Sequence, residues 1–205
     1  MQNIKWLFFD LGSTLIDESD CEEYRIRELL KQSNAPSREV LERRMREYAS
    51  QNLLPYKDAA KEFGLETTKW RHDLEKIYEC VPYVLEKLCP KYNLGIIANQ
   101  GLGAEERLVG YGIRQYFDVI VSSAETGASK PDLKIFDIAL KKAECSPEEA
   151  CMIGDRLDND IVPAAKMGMY TIWVRQGSFK YGNVDLAENK PYIIVEQIVD
   201  ILSYL

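Results

Sequence analysis

No uninterrupted apolar run in this 205-residue chain approaches the ~20 residues that a membrane-spanning helix requires, which excludes a helical membrane protein. No Cys-x-x-Cys pair occurs either. The five cysteines (Cys21, Cys80, Cys89, Cys145 and Cys151) are odd in number and scattered, a pattern against a disulfide framework or zinc site and for a reducing, cytoplasmic setting. An excess of positive charge is also missing: 26 Lys and Arg against 33 Asp and Glu leave a formal net charge of −7. Phosphate backbones and anionic lipid surfaces do not attract such a surface, so neither nucleic acid nor a membrane is expected as a partner. The one basic cluster, Arg43-Arg44 with Arg46, reads as the wet face of a helix. No charged leader with an apolar core precedes the first strand, so no secretory signal is expected.

What is present is enough apolar sequence, 46%, for a core domain carrying a smaller insert. From about Asp17 to Tyr78 the apolar residues recur at helical spacing: Ile26, Leu29 and Leu30, then Val40, Leu41, Met45 and Tyr48, set among Glu, Arg and Lys. Pro36-Ser37 and Leu54-Pro55 punctuate the segment and Gly64 ends a third short helix. A last helical stretch is predicted from about Thr67 into Cys89, with no strand anywhere in the region. Afterwards strands are predicted at 94–98, 118–121, 150–153, 170–174 and 192–195. They alternate with helices from about Ala104, over 133–142, over 161–167 and finally to Leu205. That rhythm implies right-handed crossovers and an α/β fold with a parallel sheet covered on both faces. Trp6 and Trp173 read as strand residues in or near the core, and His72, the only histidine, as solvated surface.

The most informative stretch is an apolar strand, Ile4 to Phe9, that terminates in Asp10 and turns at once through Leu11-Gly12-Ser13-Thr14. A carboxylate there sits at the carboxyl edge of a sheet, where open α/β folds bind ligands. Met152-Ile153-Gly154-Asp155 repeats the design, with Asp158 and Asp160 close behind, and Ser129-Lys130-Pro131 supplies a loop cation between the two. Two acidic strand ends that converge suggest a divalent-cation site. Asp158 reads instead as a charge near a helix N-terminus.

These four segments resemble, in order, the motifs of the haloacid dehalogenase-like (HAD) superfamily: Asp10 to Thr14, the strand end Ile97-Ala98-Asn99, Lys130-Pro131, and Gly154-Asp155 through Asp160. The resemblance covers nearly the whole chain. It implies a Rossmann-like three-layer core of residues 1–16 and 82–205, with a helical C1-type cap, residues 17–81, inserted after the first strand, as in the phosphoglycolate-phosphatase-like branch. It further implies a Mg²⁺-dependent phosphatase acting on a small, anionic phosphorylated metabolite. Asp10 would be the nucleophile that becomes an aspartyl-phosphate, Lys130 would pair with the phosphate and with Asp10, and Ala98 and Asn99 would line the phosphate site. Asp10, the Gly12 carbonyl, Asp155 and Asp160 would hold the metal. The chemistry agrees, because a carboxylate attacking a phosphate dianion is repelled unless opposing charge is arranged beforehand.

Two positions depart from the family pattern. The usual second aspartate of the first motif, which protonates the leaving alcohol and then activates water, is Gly12, and the usual Ser or Thr of the second motif is Ala98. A positioned acid/base contributes ~10²–10⁴ in rate, and a hydrogen bond to a charged group roughly 1.5–3 kcal/mol. A slow or atypical phosphatase is therefore expected, with Ser13, Asp17 or a cap residue as possible substitutes, and with aryl and acyl phosphates preferred over alkyl ones. Two alternatives stay open: a pseudophosphatase that binds a phosphorylated ligand without turnover, and a 2-haloacid dehalogenase, against which Asp155 and Asp160 stand. Tyr24, Arg27, Arg43, Tyr48 and Tyr56 are the cap residues singled out as candidates to face the site.

Overall fold

A computed structural model describes residues 3–205 of the chain. Its centre is a six-stranded parallel sheet built from β1 (Trp6–Phe9), β4 (Asn93–Ala98), β5 (Val119–Ser122), β6 (Ala150–Gly154), β7 (Tyr170–Val174) and β8 (Ile193–Val195), in the order β5-β4-β1-β6-β7-β8. Parallel neighbours need crossovers, which place helices on both faces and make the strands apolar throughout. Successive side chains of each strand go to opposite sides. Leu7, Phe9, Leu94, Ile96, Cys151 and Ile153 pack beneath α4 (Val81–Leu88), α5 (Ala104–Gly110) and the C-terminal 3₁₀ turns. Phe8, Ile97, Val121 and Met152 pack against α7 (Leu133–Lys142) and α8 (Val162–Lys166) on the other face. A short α6 (Ser123–Thr126) follows β5. This is the three-layer α/β fold expected from the strand–helix rhythm.

A third cluster lies apart from the sheet. Helices α1 (Ser19–Leu30), α2 (Arg38–Ser50) and α3 (Pro55–Glu62) bury Leu29, Leu41, Met45, Tyr56, Ala59 and Ala60 against one another. The Ser37 hydroxyl caps α2 by accepting from the Val40 amide, and Pro55 opens α3 where its missing N–H costs nothing.

The stretch 67–89 corrects the sequence expectation. Only 81–88 is α-helical; His72–Leu74 is a 3₁₀ turn, and β3 (Lys76–Ile77) pairs antiparallel with β2 (Ile16–Asp17). The partner strands are some 60 positions apart, so nothing local marks them. The closing helix is likewise a 3₁₀ segment, Ile198–Ser203. Among the described residues no helix is long and apolar enough to cross a membrane.

Beside the ribbon, a buried carboxylate ties this segment to the core. Glu75, its side chain 1% exposed, accepts from Trp70 Nε1 (2.6 Å), pairs with His72 Nδ1 (2.9 Å), and accepts from the Tyr111 hydroxyl (3.0 Å) and the Arg107 guanidinium. His72 is exposed, as expected, yet partnered. Burial pushes the Glu75 pKa up, but the hydrogen bonds from Trp70 and His72, the Arg107 charge and Tyr111 prevail and hold it below 4.5. A carboxyl depressed in the folded state contributes stability above its unfolded pKa and loses it as pH falls through the folded value. Glu75→Ala should therefore cost about 3–5 kcal/mol near neutral pH, with the deficit shrinking below about pH 4, as read from urea midpoints across pH. A constant deficit would show that Glu75 acts through packing alone.

Candidate active site

The sheet order places β1 between β4 and β6, so three strand ends meet at one edge. Asp10 follows β1 and its amide donates to the Ile153 carbonyl at 2.9 Å, which seats it beside the end of β6. Asp155 follows β6, and Asp160 returns to the same point from a π-helical turn, Leu157–Ile161. Gly154 permits that return: a Cβ there would lie 2.4 Å from Asp160 Oδ2. The Arg156 amide holds the same oxygen at 3.0 Å. Trp173, 1% exposed on β7, donates from its indole to the Asp155 carbonyl at 2.7 Å, so this core tryptophan also braces the site.

Lys130 Nζ lies 2.7 Å from Asp10 Oδ1 and 2.5 Å from Asp160 Oδ1, with its side chain 2% exposed. Asn99 positions that lysine: its side-chain amide donates to the Lys130 carbonyl and accepts from the Lys130 amide, both at 2.8 Å. The amide expected to line a phosphate site is thus engaged with the Lys130 backbone. Ala98 is fully buried, and Asn99 and Gln100 line the cavity in its place.

One oxygen from each of Asp10, Asp155 and Asp160 lies within 4.8 Å of the others. Burial raises the Asp155 pKa well above its ordinary value, and Asp160, Asp10 and Glu18 raise it further. Asp160 is pushed up to about 6 by burial, against the pull of Lys130. Burial works against the Lys130 charge, but Asp10 and Asp160 prevail and raise its pKa. Three buried or half-buried carboxyls face one ammonium, and among the described residues Asp155 has only the Thr14 hydroxyl, at 3.3 Å, as a side-chain partner. A hard divalent cation with oxygen ligands fits that donor set.

Above Asp10 opens a cavity of about 270 Å³, floored by Asp10, Gly12, Lys130 and Asp155 and roofed by Glu18, Glu22, Arg25, Tyr56 and Trp70. Of the five cap residues singled out from sequence, only Tyr56 lines it. Arg27 and Arg43 pair with Glu23 and Glu47, the Tyr48 hydroxyl with Glu62, and Tyr24 lies under Arg71. Glu18, Glu22 and Arg25 were not among the residues expected there, although the i, i+4, i+7 spacing from the N-cap Glu18 into α1 puts them on one side. Arg25 lies 3.6 Å from the Tyr56 ring centroid, and its Nε is buried without a partner among the described residues. Glu18 is pushed up to about 8, by burial first, while a 2.9 Å hydrogen bond from the Ser13 hydroxyl opposes the shift.

Crowding of carboxylates around one ammonium disfavours the folded state when no cation is added. Asp155→Asn should raise stability in EDTA by about 0.5–2 kcal/mol, about 2–4 °C in thermal midpoint per kcal/mol at this size. A midpoint lowered by the neutral isostere would mean that Asp155 is held by interactions stronger than the repulsion.

Comparison with known proteins shows the family and the fold. The family model described as haloacid dehalogenase-like hydrolase matches residues 7–174. The glyceraldehyde 3-phosphate phosphatase of Pyrococcus furiosus is 29% identical over 99% of this chain and 95% of its own length. The enzyme of the same name from Methanocaldococcus jannaschii is 37% identical over 55% of this chain, half of its own length. In shape the chain is similar to the HAD phosphatase of Thermococcus onnurineus, with a TM-score of 0.67, 22% identity and coverage of 98% of this chain and 97% of that one. With the strand-end carboxylates, the loop lysine and the parallel sheet in the family's order, the chain belongs to the haloacid dehalogenase-like hydrolases.

Proposed function

We propose that this protein is a Mg²⁺-dependent phosphatase that releases phosphate from a small phosphorylated metabolite through an aspartyl-phosphate on Asp10. The observation that carries the reading is Lys130, buried between Asp10 and Asp160 at the floor of the cavity. Asp10 is the least enclosed of the three carboxylates and lines the cavity, as a nucleophile must. Lys130 orients Asp10 and offers its charge to the incoming phosphate, and Asp160 and Asn99 hold Lys130 in place. Asp10, Asp155 and Asp160, with the Gly12 carbonyl, would hold Mg²⁺, which supplies charge neutralisation of the phosphate oxygens when bound.

A cavity of about 270 Å³ suits a phosphate on a short carbon chain. The phosphatases of Pyrococcus and Methanocaldococcus named for glyceraldehyde 3-phosphate support a substrate of that class. Residues 17–81 act as the cap that closes over the core, excludes water and selects the substrate. The five free cysteines support a cytoplasmic setting. Gly12 and Ala98 favour, as the second reading, a phosphate-binding protein without turnover. Asp155 and Asp160, both buried at the nucleophile, count against a dehalogenase.

Release of inorganic phosphate from a panel of triose, glycolate and other small phosphates decides between these. Expected is turnover that requires Mg²⁺, stops in EDTA and falls to background in Asp10→Asn. Turnover that persists in Asp10→Asn would overturn the covalent route. No turnover, with Mg²⁺ still raising the thermal midpoint, would support the binding protein.

A further inference from the structure

Gly12 stands where the family pattern that the sequence resembles places an acid/base aspartate, and a carboxyl from further along the chain fills the space. A Cβ added to Gly12 would lie 2.6 Å from Glu18 Oε1 and 2.9 Å from both its Cδ and Oε2. The Glu18 carboxyl thus occupies the space that the first atoms of a longer side chain at position 12 would take. We propose that Glu18, the residue before helix α1, is the general acid/base of this site, an assignment that rests on the phosphatase reading above.

The neighbourhood separates Glu18 from the other two substitutes that the sequence offers. Asp17 accepts from the Ser19 amide at 2.9 Å and so caps the start of α1. The Ser13 hydroxyl donates to Glu18 Oε2 at 2.9 Å, acting as the clamp rather than the acid. Glu18 stands at the N-cap position yet makes no side-chain capping bond, although capping is the ordinary use of a polar residue there. Its Oε1, the atom nearest Gly12, has no hydrogen-bond partner among the described residues. Glu18 lines the same cavity as Asp10.

Two proton transfers follow. As Asp10 Oδ bonds to phosphorus and the ester P–O bond breaks, the leaving alkoxide oxygen takes the proton of the Glu18 carboxyl and departs as an alcohol. The Glu18 carboxylate then takes a proton from a water whose oxygen attacks phosphorus. The Asp10–phosphorus bond breaks, phosphate leaves, and both side chains return to their starting forms. With this group present the protein hydrolyses alkyl phosphates without needing a stable leaving anion, the reverse of what Gly12 alone implies.

The test compares Glu18→Gln, which preserves shape and the Ser13 contact, on glyceraldehyde 3-phosphate and on p-nitrophenyl phosphate, with Mg²⁺. Expected on the alkyl ester is a fall in kcat of ~10²–10⁴ with KM changed only a few-fold. On the aryl ester, whose leaving group needs no proton, the variant should release one equivalent of p-nitrophenolate in a burst, then turn over slowly for want of the base. Gly12→Asp combined with Glu18→Ala vacates the gap and fills it from the core side, and should recover activity over Glu18→Ala alone. Wild-type rates on both esters, or equal burst-free losses on both in a folded variant, would overturn the assignment while leaving the phosphatase reading intact. Failure of the wild-type protein to release phosphate from either ester would sink both together.

Discussion

An ammonium buried between two carboxylates is the constraint around which the rest of the molecule is arranged. Lys130 reaches Asp10 and Asp160 from a loop, and none of the three tolerates burial alone, since desolvation of an unpaired charge costs several kcal/mol. Its position in turn needs Asn99 on the backbone of Lys130, Gly154 beneath Asp160, and the Trp173 indole on the carbonyl of Asp155. Residues from the ends of four strands, the Lys130 loop and the turn that carries Asp160 therefore have a single mutually consistent arrangement. The crowding of carboxylates around one ammonium fits a hard cation with oxygen ligands rather than a gain in stability.

The sheet makes such a site possible. Strands covered on both faces must be apolar along their length, so polar groups collect at their ends, and β1 between β4 and β6 brings the ends that matter side by side. A hydrophobic cluster on each face packs those strands in place beneath their ends.

The roof follows another logic. Helix α1 buries Leu29 within its own helical cluster and turns Glu22 and Arg25, with Glu18 before its first turn, toward the floor. The two-stranded ribbon and Glu75 tie the return segment to α5, so the cap is attached at a defined place while its helices keep a core of their own.

Much of this was legible in the residues. The apolar runs ending in Asp10 and Asp155, the lysine between them and the alternation of strands and helices already identify a parallel α/β fold with an acidic edge, because burial on both faces writes itself locally as hydrophobicity. The period of α1 to α3 was equally plain. The pairing of β2 with β3, the engagement of Asn99 with Lys130, and the choice of Tyr56 but not Arg27, Arg43, Tyr24 or Tyr48 as a cavity residue were not. Each depends on how one element docks on another far away in the chain. By itself the sequence determined which groups exist and which strands end in charge, and it showed a missing carboxylate at Gly12. Only the tertiary structure decided that Glu18 enters the vacant space, because docking of the cap on the core, a long-range packing event, sets where a helix face points.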